Sequence, residues 1–172
     1  DDIYVTGNLG DSFVGLKILK NKIKLGKKAN NYFINKYYHP DIQISLAKKL
    51  LKFANTSIDI SDGLIADLDK MLNNLNCSYQ IYEDKIPISK YLSELIKKNK
   101  LKKSKLISNG DDYQILFTAS TSKSRIIQRT SRILDIKITK IGKIISGKKK
   151  SSILDQKSKQ ILLKNKGYIH QF

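Results

Sequence analysis

At 172 residues, 40% of them apolar, the chain is long enough for one domain with a real core. Its formal net charge of +18 suits an anionic small substrate as well as loose, salt-sensitive attraction to nucleic acid. A single cysteine, Cys77, excludes a disulfide framework and a Cys-based zinc site, and with no apolar run of membrane-spanning length and no signal-peptide pattern the chain fits a cytoplasmic protein with no membrane partner.

The chain opens at Asp1 without an initiating Met, so one half of a longer protein is expected. Residues 3–7, IYVTG, read as a buried strand. The turn Asn8 to Asp11 follows, and Asp11 or Ser12 is placed to cap a helix carrying Phe13, Val14, Leu16, Ile18 and Leu19. Gly7 and Gly10 across that turn suit either a phosphate loop or a plain tight turn. Residues 30–38 form an aromatic helix that stops at His39-Pro40, because the residue before proline avoids the helical region. His39, with no partner nearby in sequence, reads as a helix-end surface residue. A further helix places Ile44, Leu46, Ala47, Leu50, Leu51 and Phe53 inward.

Residues 57–64, SIDISDGL, are the centre of the chain. Ser57 to Ile60 alternate as a short strand, Ser61 and Asp62 are helix-capping types, and Leu64, Leu68, Met71, Leu72 and Leu75 make one face of a helix that ends near Asn76. Asp59 and Asp62 thus lie at a strand exit beside a helix N-terminus. Two carboxylates there either flank a cation such as Mg²⁺, with a phosphate drawn to the same helix end, or belong to an ordinary capped turn.

Residues 77–82 read as a strand with Tyr79 and Ile81 on one face and Cys77 as a small buried apolar residue. Pro87 breaks the pattern before a helix marked by Tyr91, Leu92, Leu95 and Ile96. In residues 108–118, SNGDDYQILFT, Gly110 permits a sharp turn, Asp111 and Asp112 are adjacent acids, and Tyr113 to Phe117 form an apolar strand. Those acids either solvate the turn or serve a site. Arg125, Arg129 and Arg132 share one face of the next helix and read as solvated. They are the only arginines, and lysine, a hydrated point charge, is a poor substitute for bidentate phosphate or base recognition. A dedicated nucleic-acid role is therefore not expected. Strands over 136–145 lead to the turn 147–150. In the final KGYIHQF, the residues Tyr168, His170 and Phe172 either dock onto the domain or reach a ligand. Alternating strands and helices argue for one layered α/β or α+β domain over residues 1–172.

Four stretches in this order, DDIYVTGNLGD, SIDISDGLIADL, SNGDDYQILFT and KGYIHQF, resemble the C-terminal domain of the thiamine-monophosphate kinase family. That family lies within the superfamily of aminoimidazole-ribonucleotide synthetase. The resemblance implies an α+β fold, a mixed sheet with helices packed mainly on one face. It implies an activity that converts thiamine monophosphate to thiamine diphosphate with ATP as co-substrate and Mg²⁺ as cofactor. It implies that the family's N-terminal ATP-binding domain is absent from this chain and that the complete enzyme is a homodimer. By position, Asp59 and Asp62 match metal ligands, Ser61 an ATP contact, and Asp111, usually Glu in the family, a contact to the thiamine phosphate. Tyr168 matches an aromatic residue that packs on the substrate. The alternatives are another enzyme of the superfamily, or a basic nucleic-acid-binding module. Clustered lysines and exposed aromatics on one face would mark the latter.

Overall fold

The computed structural model describes residues 1–98, 100–147 and 149–168. One six-stranded sheet is built from β1 (Asp2–Thr6), β2 (Thr56–Asp59), β3 (Cys77–Tyr82), β4 (Ile115–Ala119), β5 (Ile138–Ser146) and β6 (Ser152–Leu154), in the order β2-β4-β1-β5-β3-β6. Neighbours are antiparallel except β3 and β6, which run parallel, so the sheet is mixed. Seven helices are described: α1 (Asp11–Leu19), α2 (Lys27–Tyr38), α3 (Ile44–Leu50), α4 (Leu64–Met71), α5 (Lys90–Lys97), α6 (Lys103–Leu106) and α7 (Ser124–Leu134).

Side-chain alternation along β1 explains the layering. Ile3 and Val5 point to one face, where they meet Leu116, Ile81 and Ile141 from the sheet and Leu64, Ile65 and Leu68 from α4. Tyr4, between them, points to the other face and stacks on Phe117 among Leu46 and Leu50 of α3 and Ile127 of α7. A third cluster joins Val14 and Ile18 of α1, Phe33 of α2 and Leu92 and Leu95 of α5. The expected α+β mixed sheet is present, and α3 and α7 cover its second face.

Several local expectations are corrected. Asp11 and Ser12 do not cap α1 but begin it. Gly10 stands at the cap with φ 89, and both side chains are buried. Of the six α3-region residues expected inside, only Leu46, Leu50 and Phe53 are buried, whereas Ile44, Ala47 and Leu51 are exposed. A seven-residue helix has one inward stripe, and positions four apart fill it. The α4 helix ends at Met71, and Leu75 lies past it, exposed. Cys77 is half-buried rather than fully inside. The apolar strand begins at Ile115, since Tyr113 sits in the left-handed region at φ 51. As expected, Arg125, Arg129 and Arg132 are exposed, as is His39 at the end of α2.

Candidate functional site

Two loops meet at the exit of β2 and the entry of its antiparallel neighbour β4. β2 and β4 pair with Asp59 opposite Ile115, and the pairing continues into the loops: Ile60 N–H donates to the Gln114 carbonyl, Tyr113 N–H to the Ile60 carbonyl and Asp111 N–H to the Ser61 carbonyl. The approach is so close that a Cβ at Gly110 would overlap the Ser61 carbonyl. Gly63, at φ 127 and ψ 151, takes a conformation that only glycine adopts readily, and it turns the first loop into α4.

The first loop is held from within by Asp67, which the sequence reading did not single out. Its side chain is fully buried, and Oδ2 accepts hydrogen bonds from the N–H groups of Ser61 (2.9 Å), Asp62 (2.9 Å) and Gly63 (3.1 Å). Ser61 and Asp62 therefore do not cap the helix with their side chains. They are recipients of an anchor that sits in the helix's first turn. An acid in the first turn favours the helix macrodipole, and that placement was the sequence signal available for it. Asp67 Oδ1 receives Lys70 Nζ at 2.8 Å, and the same ammonium reaches Asp62 Oδ2 at 2.5 Å. Bonding to Asp62 and then Asp67 pushes the Lys70 pKa up, so the cation is secure.

The second loop has a matching anchor. Asp112 is buried, and its Oδ2 accepts the Gly10 N–H at 2.7 Å, with a longer 3.5 Å contact from Ser12 N–H to Oδ1. Burial pushes its pKa up to about 8, against the lowering effect of the Gly10 hydrogen bond. Asp11 lies beside it, buried too, accepting hydrogen bonds from Ser89 Oγ (2.6 Å) and Tyr32 Oη (2.8 Å), and burial raises its pKa. Asp111 (φ 67) and Tyr113 (φ 51) flank Asp112 with left-handed backbones, so the loop turns one acid inward and leaves its neighbour partly exposed. Such strain is retained where surrounding contacts over-determine it, as at binding sites.

Of the predicted site residues, the structure brings together Asp62, Ser61, Asp111 and Tyr168. Partial burial raises the pKa of Asp111, and the negative charge of Asp62 raises it further, with Lys20 opposing. The Tyr168 N–H donates to the Asp62 carbonyl at 2.9 Å, and the Ala66 N–H to the Lys166 carbonyl at 3.1 Å, so the tail lies across the start of α4. Tyr168 as a residue is 67% exposed. His170 and Phe172 lie outside the described residues. Asp59 ends β2 on its exposed face, three residues before Asp62.

Could this acid pair hold a metal? Among the described residues, no three His, Cys, Asp or Glu side chains gather closely enough to form a metal cage. Mg²⁺ does not require one, because it binds through one or two carboxylates with waters and phosphates completing its shell. Asp62, whose negative charge raises the pKa of Asp111 and which already draws the Lys70 ammonium, makes this a place where positive charge is stabilised. The donor set fits a hard, hydrated divalent cation.

No family model matches the chain. Curated relatives do. A thiamine-monophosphate kinase from Buchnera aphidicola subsp. Schizaphis graminum is 39% identical over 171 residues, which are 99% of this chain and 52% of that protein. A crystal structure of thiamine-monophosphate kinase from Stenotrophomonas maltophilia K279a superposes with a TM-score of 0.78 at 28% identity, covering 89% of this chain and 49% of that one. By sequence and by fold, the chain is similar to thiamine-monophosphate kinases. It spans about half the length of the curated relatives it matches. AaThiL, solved in complex with AMPPCP and TMP, matches 98% of this chain and 51% of its own, with a TM-score of 0.77 and 26% identity.

Tyr4, Phe33, Phe53, Tyr79 and Phe117 are buried in the core, whereas Tyr38, Tyr113 and Tyr168 are exposed. Among the described residues, no helix is long and apolar enough to cross a membrane.

Proposed function

We propose that this chain is the C-terminal half of an enzyme that transfers the γ-phosphoryl group of ATP to thiamine monophosphate, giving thiamine diphosphate and ADP. The observation that carries the reading is the meeting of the 59–63 and 108–114 loops at Asp62 and Asp111, in a chain similar over its whole length to kinases of that name. The family's N-terminal ATP-binding domain completes the site, and the whole enzyme works as a cytoplasmic homodimer.

Phosphoryl transfer between two phosphates needs alignment and neutralisation more than covalent chemistry. Asp59 and Asp62 are the proposed Mg²⁺ ligands of this half, and the bound ion would supply charge neutralisation at the phosphates. Ser61, on the loop fixed by Asp67, is the proposed ATP contact. Asp111 is the proposed contact to the thiamine phosphate, held in position by the Asp112 anchor next to it. Tyr168, tied by its backbone to Asp62, presents an exposed ring suited to packing on a flat heterocycle. No general base is required, because the acceptor phosphate oxygen is already ionised near neutral pH.

The test uses the complete protein containing this chain, with ATP, Mg²⁺ and thiamine monophosphate, and chromatography to identify the product. Thiamine diphosphate is expected, with a turnover loss of orders of magnitude in Asp62→Ala and little change in folding. ATP consumption with a different phosphate acceptor, or an Asp62→Ala enzyme as fast as wild type at saturating Mg²⁺, would overturn the reading. The chain by itself is expected to make no thiamine diphosphate.

A further inference from the structure

Lys70 occupies an unusual position for a residue so close to a proposed metal ligand. Its Nζ lies 2.5 Å from Asp62 Oδ2 and 2.8 Å from Asp67 Oδ1, and its side chain is half-exposed. The two bonds differ in kind. Asp67 lies three residues away on the same helix, is fully buried, and has its other oxygen committed to three backbone N–H groups. Asp62 lies outside the helix, eight residues from Lys70, so that bond is kept only while the flexible lysine holds one conformation.

We infer that Lys70 is the resident counter-cation of Asp62, and that a divalent metal taking the Asp62 carboxylate displaces the ammonium onto Asp67 alone. Lys70 thereby sets the metal affinity of the site. An ammonium and a divalent ion compete for the same carboxylate oxygen, and a lysine that has stepped aside to Asp67 still repels the incoming ion at short range. The lysine then has two effects. It keeps Asp62 and Asp111 from repelling each other before metal arrives, and it makes the metal bind more weakly than the bare carboxylates would. This inference rests on the proposed metal role of Asp62.

The test is Mn²⁺ titration of the complete protein containing this chain, read by the electron paramagnetic resonance signal of the free ion. Lys70→Met and Lys70→Gln are expected to bind Mn²⁺ about tenfold more tightly than wild type. Lys70→Arg, which keeps the charge, is expected to match wild type. Lys70→Gln preserves a hydrogen-bond donor for Asp67 and serves if the methionine variant is unstable. Unchanged or weaker binding in both neutral variants overturns the inference, since a lysine that merely steadies Asp62 gives that result. Asp62→Asn separates the two levels. If it abolishes binding while the neutral Lys70 variants leave affinity unchanged, this inference fails and the metal site stands. If it binds Mn²⁺ as wild type does, the metal role of Asp62 fails and takes the inference with it. A lack of Mn²⁺ binding in wild type and neutral variants alike also overturns it.

Discussion

Replacing Asp67 by alanine removes one side chain and leaves a whole loop without its acceptor. Oδ2 serves three N–H groups at 2.9, 2.9 and 3.1 Å, and Oδ1 pairs with Lys70 at 2.8 Å, all from a side chain with no exposure to water. A hydrogen bond to a charged group contributes about 1.5–3 kcal/mol, but these bonds share one oxygen and do not add. Ser61 and Asp62 are only half-buried, so water can reach their amides once the carboxylate is gone, whereas Gly63 is buried. Removing one partner of a buried, bonded charge costs about 3–5 kcal/mol, and the geometry here supports a figure of about 4. Against a domain stability of about 5–15 kcal/mol, that is a large share. Urea unfolding of the purified chain, followed by circular dichroism, measures it. With a slope of about 2 kcal/mol/M, the midpoint should fall by about 2 M with the slope unchanged. Asp67→Asn, which keeps an oxygen acceptor without the charge, should lose about half as much. A loss below about 1 kcal/mol in Asp67→Ala would refute the idea that this acid holds the loop.

Asp112 makes stability depend on pH. Its folded-state pKa is raised to about 8 from the ordinary 3.8, so its contribution is full below about pH 4 and is lost as the pH rises towards 8, with a slope approaching about 1.4 kcal/mol per pH unit. Asp112→Asn should flatten that part of a urea-midpoint profile, and an unchanged slope would mean the carboxyl is ionised in the folded protein. Gly110→Ala forces a methyl group against the Ser61 carbonyl and should cost about 1–3 kcal/mol, with faster amide exchange at Asp111 and Tyr113; exchange as slow as in wild type would contradict the close approach. A chain ending at residue 160 loses Ile161 and Leu163 from the core edge and three backbone bonds, Ile161 to Ile153, Ala66 to Lys166 and Tyr168 to Asp62, and thermal unfolding should show a loss of about 2–3 kcal/mol. An unchanged melting temperature would show that the tail contributes nothing to holding α4.

How much could be read before the structure was known depended on the kind of contact involved. Periodicity reports burial within one element, so β3 was legible to the residue and so was the inward face of Tyr79 and Ile81. It fails for short helices. In α3, two turns of apolar residues look inward all round, yet only one stripe touches the sheet. Composition also misleads at loops, where an acid is read as solvated or functional by default. Nothing in the order of residues says that Asp112 reaches back a hundred positions to Gly10, or that Tyr113 has a left-handed backbone and ends the strand early. Such contacts are long-range, and only the folded chain displays them. The parallel pairing of β6 with β3 was likewise hidden, because three residues carry too little alternation to recognise.

The acids of the two loops divide into two pairs of unequal members. In each pair one acid is buried and bonded to backbone N–H groups, Asp67 in the first turn of α4 to residues 61–63 and Asp112 to Gly10, while the other, Asp62 or Asp111, is left partly exposed towards its counterpart. Anchoring and exposure thereby fall to different residues. A flexible loop bearing two acids would relieve their repulsion by moving them apart, and nothing would then favour a cation between them. Because Asp67 and Asp112 fix the backbone, and the Asp111 N–H bond to Ser61 ties the loops together, Asp62 and Asp111 cannot separate. Their repulsion persists in the folded chain, is relieved in part by Lys70, and is available to stabilise whatever positive charge arrives. Identifying this site from sequence by counting acids therefore picks out the presented residues and overlooks the buried ones that make the presentation possible.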